Sequence, residues 1–366
     1  MNFFFRVDAS VQIGTGHVYR CLSLAQSLVS LGFTVRFLTR LLDGHLAELI
    51  HKRGFEIISL PRQLPSIEQD EVEPKLKHSD WLEASQAQDA NVCIERLQIF
   101  NLTEQDWILV DHFALDAVWE SALTATFNCK IAVIDGQADR SHHADVLIDP
   151  TPCSISEKWD GLLESKTRLF FGFPYIPIES SFQRNQKRAQ VRTSLTRLLI
   201  AFGGVDQPNY TYSALQAVLR LNNAIIKVDV VVGKYYPHFE ELAVLAKNVA
   251  NEDIHCQTDK MSELMLKADF AIGAGGTMVW ERCMLWLPSI VTPIADNQIE
   301  QVTCLQKLGV AEILISPIEG YSEKLYQVLS ELLSQPENVM AMSLHAKALT
   351  HQVDESAWFK VFAMLP

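Results

Sequence analysis

Four residues near the start of the chain, Gly14-Thr15-Gly16-His17, combine types suited to anion binding and proton transfer. They follow an apolar run of strand-favouring side chains, Phe3-Phe4-Phe5-Arg6-Val7. They precede Val18, Cys21, Leu22, Ala25, Leu28 and Val29 at helical spacing, which predicts a helix beginning near His17. A strand, a glycine turn and a helix N-terminus expose unpaired N–H groups, a seat for an anion. The glycines let the backbone turn tightly and approach a ligand. The positive end of the helix dipole disfavours a further positive charge, so a neutral imidazole able to act as a base is expected at His17.

A second glycine loop, Gly273-Ala274-Gly275-Gly276-Thr277, ends one apolar run and opens another helical pattern, with Glu281 one turn later. A diphosphate on the loop's N–H groups would put a ribose near Glu281, whose carboxylate can accept two hydroxyl protons. Asn297 and Gln298 follow the next strand and are placed to close the same pocket. Elsewhere, Asp8, Asp111-His112, Asp135 and Asp149 each stand at or just past the end of a strand-like run. Ligands of open parallel sheets bind at such ends. For each aspartate taken singly, however, a cap or turn role is the better reading.

These elements need a frame, and composition bounds it. With 366 residues, two domains are expected; 48% hydrophobic and 20% charged residues make an ordinary globular balance. A net charge of −13 argues against nucleic acid or an anionic membrane as partner. An anionic ligand must then be held by local donors. The seven cysteines form no Cys-x-x-Cys pair and read as buried small hydrophobes in a reducing compartment. No uncharged run is long enough to span a bilayer, and no signal-peptide pattern opens the chain, so a cytoplasmic protein is expected.

Strands and helices alternate, the pattern of an α/β fold with doubly wound sheets. Strands are expected at Val35–Leu38, Phe55–Ile58, Trp107–Val110, Lys130–Ile134 and Val146–Ile148, with helices around Leu46–Gly54, Trp81–Leu97 and Trp119. Pro61 to about Asp80 reads as an exposed loop. Alternation lapses around Pro174, Pro177 and the basic run Arg184–Arg188. The predicted layout is therefore an N-terminal Rossmann-like domain over 1–172, a linker over 173–192 and a C-terminal domain over 193–366. In the C-terminal half, Leu198–Phe202 runs into Gly203-Gly204, Val228–Val232 into Gly233 and Phe270–Ile272 into the second loop. Further strands are expected at Ser289–Thr292 and Glu312–Ile315, and helices at Met278–Leu285, Tyr321–Leu333 and Val339–Phe362.

Several strings together carry a resemblance. Asp8-Ala9-Ser10 with Ile13-Gly14-Thr15-Gly16-His17-Val18-Tyr19-Arg20-Cys21-Leu22 resembles the opening of the UDP-2,4-diacetamido-2,4,6-trideoxy-β-L-altropyranose hydrolases of pseudaminic acid biosynthesis. The likeness continues through Val110-Asp111-His112-Phe113-Ala114-Leu115-Asp116 with Trp119-Glu120, Ala138-Asp139-Arg140, and Phe202-Gly203-Gly204 with Asp206 and Asn209. It ends with Ile272–Thr277, Trp280-Glu281-Arg282-Cys283, Leu287-Pro288 and Asn297-Gln298. Two stretches depart from the family pattern: Asp135-Gly136-Gln137, where paired aspartates are usual, and Ile176–Phe182, which lacks the family's arginine.

The resemblance implies a GT-B-like architecture, two Rossmann-like domains facing across a cleft. It implies that UDP binds the C-terminal domain while His17 activates a water that attacks the anomeric carbon, releasing UDP with inversion. Asp8 is the group expected to orient His17. Contacts to the UDP-sugar are expected from Gly14, Gly16, Arg20, Asp111 and His112 in the first half, and from Gly203, Gly204, Gly275, Gly276, Thr277, Glu281, Asn297 and Gln298 in the second. No metal and no cofactor are expected. The competing functions are a glycosyltransferase using a UDP-sugar donor, which needs an acceptor site, and a non-catalytic nucleotide-sugar-binding module.

Overall fold

The computed structural model describes residues 1–62, 76–222, 226–247, 252–351 and 357–362. The chain divides into two compact units, Met1–Glu179 with Val353–Pro366, and Ser180–Gln352.

The first unit is built on seven parallel strands: β1 Asn2–Arg6, β2 Thr34–Arg40, β3 Glu56–Leu60, β4 Trp107–Val110, β5 Lys130–Ile134, β6 Val146–Asp149 and β7 Arg168–Phe171. Their order across the sheet is β3-β2-β1-β4-β5-β6-β7. Successive side chains of a strand point to opposite faces, and here both faces are covered. Phe3, Phe5, Phe37, Trp107, Leu109, Ala132 and Ile134 pack with helix Gly16–Ser30 and helix Ala357–Phe362 on one side. Phe4, Leu38, Ile108, Val110, Ile131 and Val133 pack with helices Gln86–Leu97 and Ala117–Thr126 on the other.

The second unit has six parallel strands: β8 Arg197–Ala201, β9 Lys227–Val232, β10 Glu252–Cys256, β11 Phe270–Ala274, β12 Ser289–Thr292 and β13 Ala311–Ile313. The order is β10-β9-β8-β11-β12-β13. One face buries Leu198, Ile200, Val228, Val230, Phe270 and Ile272 against helices Tyr210–Arg220 and Ile318–Ser334.

In each sheet the order reverses once, at β1/β4 in the first unit and β8/β11 in the second. The loops leaving these strand pairs diverge, and the crevice they leave is where doubly wound sheets bind ligands. The loop after β1 leads to His17, and β4 runs directly into Asp111. The loop after β8 carries Gly203-Gly204, and β11 runs into Gly275-Gly276-Thr277.

Several expectations need correction. The helix expected from Trp81 is a short 3₁₀ turn, Ser79–Leu82, followed by a helix that begins at Gln86. The reason is a capping box: the Ser85 hydroxyl accepts from Gln88 N at 3.1 Å while the Gln88 side chain accepts from Ser85 N at 2.9 Å. Strands β7 and β10 were not anticipated; both lie at a sheet edge, where polar residues such as Arg168 and His255 mask the strand pattern. The C-terminal helical stretch is two helices, Pro336–Thr350 and Ala357–Phe362. Of the cysteines, Cys256 is exposed and Cys129 only partly buried. Most of the loop expected from Pro61 to Asp80, residues 63–75, lies outside the described residues. Within 173–192 lie a 3₁₀ turn, Phe173–Tyr175, and a helix, Ser180–Gln186.

Candidate active site

His17 is the second residue of its helix and is 8% exposed. Its Nδ1 lies 2.6 Å from Oδ1 of Asp111, the residue that follows β4. The carboxylate can only accept, so Nδ1 carries the proton and the lone pair of a neutral ring resides on Nε2. Nε2 makes no hydrogen bond among the described residues and is not sealed from solvent.

Arg20, one turn further along the helix, forks onto the same carboxylate, with Nε 2.8 Å from Oδ2 and Nη2 2.5 Å from Oδ1. Arg20 Nη2 also lies 3.2 Å from His17 Nδ1. With Nδ1 protonated that approach places donor against donor, so the carboxylate, not the ring, is the arginine's partner. Cys21 Sγ adds a weak donor to Oδ2 at 3.4 Å. Burial alone would push the Asp111 carboxyl up, but Arg20 and His17 more than offset it and hold it well below the usual range. Asp111 and Arg20 were expected to contact substrate; the structure places them on each other and on His17.

Asp8 does not take the orienting role expected of it. Its Oδ1 lies 2.7 Å from Arg6 Nη1 and accepts from Arg40 N at 2.7 Å, and Thr39 Oγ1 approaches at 3.3 Å. Arg6 and Arg40 both reach Asp89, which also accepts from Trp119 Nε1 at 2.9 Å. His112, also expected at the substrate, belongs to this cluster. It is 3% exposed, its Nδ1 accepts from Ala114 N at 3.2 Å, and its Nε2 faces Asp8 Oδ2 at 3.3 Å. Burial, resisted by Asp8, keeps the His112 imidazole below the ordinary histidine range. The cluster ties β1, β2, β4 and two helices together beneath the loop ends. A charged Arg6 within the otherwise apolar run Phe3–Val7 was its sequence signal.

Aromatic rings pack beside His17. Phe113 meets it edge-to-face with centroids 4.7 Å apart, and Trp81 lies at 6.1 Å. His78 packs at a tilt against Trp81, with centroids 4.3 Å apart, and lies 5.8 Å from Phe113. Burial, reinforced by Lys77, lowers the His78 pKa. Trp81 and His78 were not anticipated as site residues; they precede the Ser85 cap, in a stretch read as loop and helix start.

A second buried cluster begins at β5. His142 stands between Glu120, at 2.7 Å from Nδ1, and Asp135, at 3.2 Å from Nε2. Burial opposes the charge, but Glu120 and Asp135 raise the imidazole pKa to about 9. Asp135 also faces Arg140 Nη1 at 3.2 Å. This pairing explains how the departure at Gly136-Gln137 is accommodated: Asp135 Oδ1 takes Gln137 N at 2.7 Å and closes the turn itself.

In the second unit the loop glycines answer to different needs, conformation at Gly203 and space at Gly275. Gly203 has φ +101°, a conformation L side chains rarely adopt. A Cβ on Gly275 would come within 2.5 Å of Val302 and 3.1 Å of Gln298 Oε1. Gln298 spends that oxygen on Ile294 N at 3.0 Å, and Gln301 Nε2 reaches Gly275 O at 2.8 Å and Gly276 O at 3.1 Å. Gln301 therefore holds the loop by two of its carbonyls, and it was missed in the sequence. Thr277 opens the helix Met278–Met284, which places Glu281 one turn on, half-buried; Asn297 sits in the turn Asp296–Gln298. Arg282 turns inward to Ala274 O at 2.8 Å, and burial lowers its pKa to about 10. Among the described residues no group of three or more His, Cys, Asp and Glu could hold a metal ion, and no helix is long and apolar enough to cross a membrane.

Comparison with known proteins places these loops in context. Residues 198–356 match the Glycosyltransferase family 28 C-terminal domain. The chain is 22% identical over 309 residues to the UDP-2,4-diacetamido-2,4,6-trideoxy-beta-L-altropyranose hydrolase of Campylobacter jejuni, covering 84% of this chain and 97% of that one. An uncharacterized protein of Methanocaldococcus jannaschii is 24% identical over 302 residues, 80% of this chain but only 55% of the relative's length. The crystal structure of MurG from Acinetobacter baumannii superposes with a TM-score of 0.64 at 15% identity, covering 99% of this chain and 98% of that one. With its two doubly wound parallel sheets, the chain has an α/β fold of the GT-B type.

Proposed function

We propose that this protein hydrolyses a UDP-linked 2,4-diacetamido-2,4,6-trideoxyhexose at the anomeric carbon, releasing UDP and the free sugar for pseudaminic acid biosynthesis. The observation that carries the reading is the 2.6 Å bond between His17 Nδ1 and Asp111 at the switch point of the first sheet. It leaves Nε2 as the acceptor for a proton. UDP is a good leaving group and water a poor nucleophile, so the step needs a base more than an acid. Nε2 takes a proton from water as the oxygen bonds to the anomeric carbon, and the bond from that carbon to the diphosphate breaks with inversion. Asp111 holds the ring in the required tautomer and stabilises the imidazolium that forms.

The second unit takes the nucleotide. The N–H groups of Gly275-Gly276-Thr277 hold the diphosphate, with Gly203-Gly204 on the neighbouring strand's loop and Glu281 on the ribose. The relative from Campylobacter jejuni, similar along nearly its whole length, supports hydrolysis. A glycosyltransferase remains the second reading, because residues 198–356 match a glycosyltransferase domain. Incubation with UDP-sugars and no acceptor separates the two. Hydrolysis yields UDP and an equal amount of free sugar from the diacetamido substrate. Release of UDP only after an acceptor is added would assign the protein as a transferase.

A further inference from the structure

Arg140 is a buried arginine that the hydrolytic step, as described, does not use. It is 5% exposed, yet its guanidinium is held on three sides. Nε donates to Leu115 O at 2.8 Å, and Nη1 faces Asp139 at 2.7 Å and Asp135 at 3.2 Å. The remaining nitrogen, Nη2, makes no hydrogen bond among the described residues, and it is not among the buried atoms sealed from solvent. The Cζ atom lies 5.4 Å from the centroid of Phe113, the ring that packs on His17 at 4.7 Å. An arginine locked this firmly, with one nitrogen open and its guanidinium beside the ring that packs on the base, is preorganised to donate to a ligand.

We propose that Arg140 is a substrate-contacting, specificity-determining residue that donates through Nη2 to the carbonyl oxygen of an N-acyl group on the sugar. The inference deepens the hydrolase reading and rests on it. A neutral acceptor is favoured by charge. Asp135 and Asp139 already compensate the guanidinium, and behind them Glu120 and the His142 imidazolium complete a cluster of three carboxylates and two cations. Such a site offers little net attraction to a phosphate but keeps a directed N–H for a carbonyl. The shape agrees, because Phe113 and Trp81 stack at 6.0 Å and His78 joins them, giving the acyl methyl an apolar wall.

The test compares wild type with R140K and R140M, each checked for folding by circular dichroism and thermal unfolding. With the diacetamido UDP-sugar, R140M is expected to raise KM about 10- to 100-fold, the worth of one charged hydrogen bond, while kcat stays within about threefold. R140K, which keeps a donor but not the fork, should fall between. The affinity for UDP alone should not change. A purely structural role would instead lower kcat by disturbing Phe113 and His17. Saturation-transfer NMR with UDP-N-acetylglucosamine gives a readout independent of turnover: acetyl-methyl saturation relative to the uridine protons should collapse in R140M. Unchanged KM in both variants, an equal loss of UDP affinity, or an acetyl signal that is absent in wild type or unchanged in R140M would each overturn the proposal. If no UDP-sugar is hydrolysed but the acetyl signal depends on Arg140, the hydrolase reading fails and the contact stands.

Discussion

At the scale of single residues, the site rests on a division of labour between two aspartates. Asp8 and Asp111 both follow neighbouring central strands and both are buried, but only Asp111 bonds to His17. Asp8 is enclosed by Arg6 and the backbone of Arg40. His17→Asn is therefore expected to retain the fold and UDP affinity while lowering turnover about 10²–10⁴-fold, the usual contribution of a general base. Steady-state release of UDP measures it, and a variant as fast as wild type would remove the base from the mechanism. Asp111→Asn tests the partner. Its amide can donate to Nδ1 and so favour the tautomer with its proton on Nε2, which has no lone pair to offer. A loss of turnover comparable to that of His17→Asn is expected, with little further loss in the double variant, because the two side chains act as a unit. Additive losses would mean that they work separately.

At the scale of elements, the loops are held by charges buried beneath them. The Glu120–His142–Asp135 cluster joins the helix Ala117–Thr126 to the loop after β5, and its imidazole titrates near 9 in the folded chain. The pKa is raised above the unfolded value of about 6.5, so the folded state binds the proton more tightly. The stability this contributes is fully present below about pH 6.5 and is lost as pH rises through 9, by roughly 3 kcal/mol. Urea unfolding at pH 6.5, 8 and 9.5 should show that decline, and His142→Gln should flatten it. An identical decline in the variant would place the titration elsewhere. The Ser85–Gln88 capping box makes a contribution of a different kind, since it fixes where the helix starts and so where Trp81 and His78 stand relative to His17.

At the scale of the whole molecule, two sheets with the same reversal of strand order carry different loops. The first has side chains suited to proton transfer, the second glycines suited to close backbone approach. If the second unit holds the nucleotide, Glu281→Ala should weaken UDP binding by about 1–3 kcal/mol, the scale of a charged hydrogen bond, and leave His17 chemistry otherwise intact. Calorimetric titration with UDP reads this directly; unchanged affinity would move the ribose away from Glu281.

Much of this was legible in the amino-acid order alone. Apolar runs of strand length that alternate with helical spacing determined two α/β halves, because those periods follow from local backbone geometry. The glycine turns and the histidine at a helix start were likewise local features. Which aspartate meets His17 was not: Asp8 is nine positions away in sequence and Asp111 ninety-four, yet parallel pairing of β1 with β4 brings only the distant one to the ring. The same holds for Arg20, whose fork onto Asp111 joins residues ninety-one positions apart. His112 turned inward to Asp8, and Arg140 gained its setting from two separate stretches, Phe113 and Leu115 after β4 and Asp135 after β5. Side-chain types and short spacings reveal what chemistry is available. The register of a parallel sheet joins residues far apart in the chain, and only the tertiary structure decides which of them share a charge.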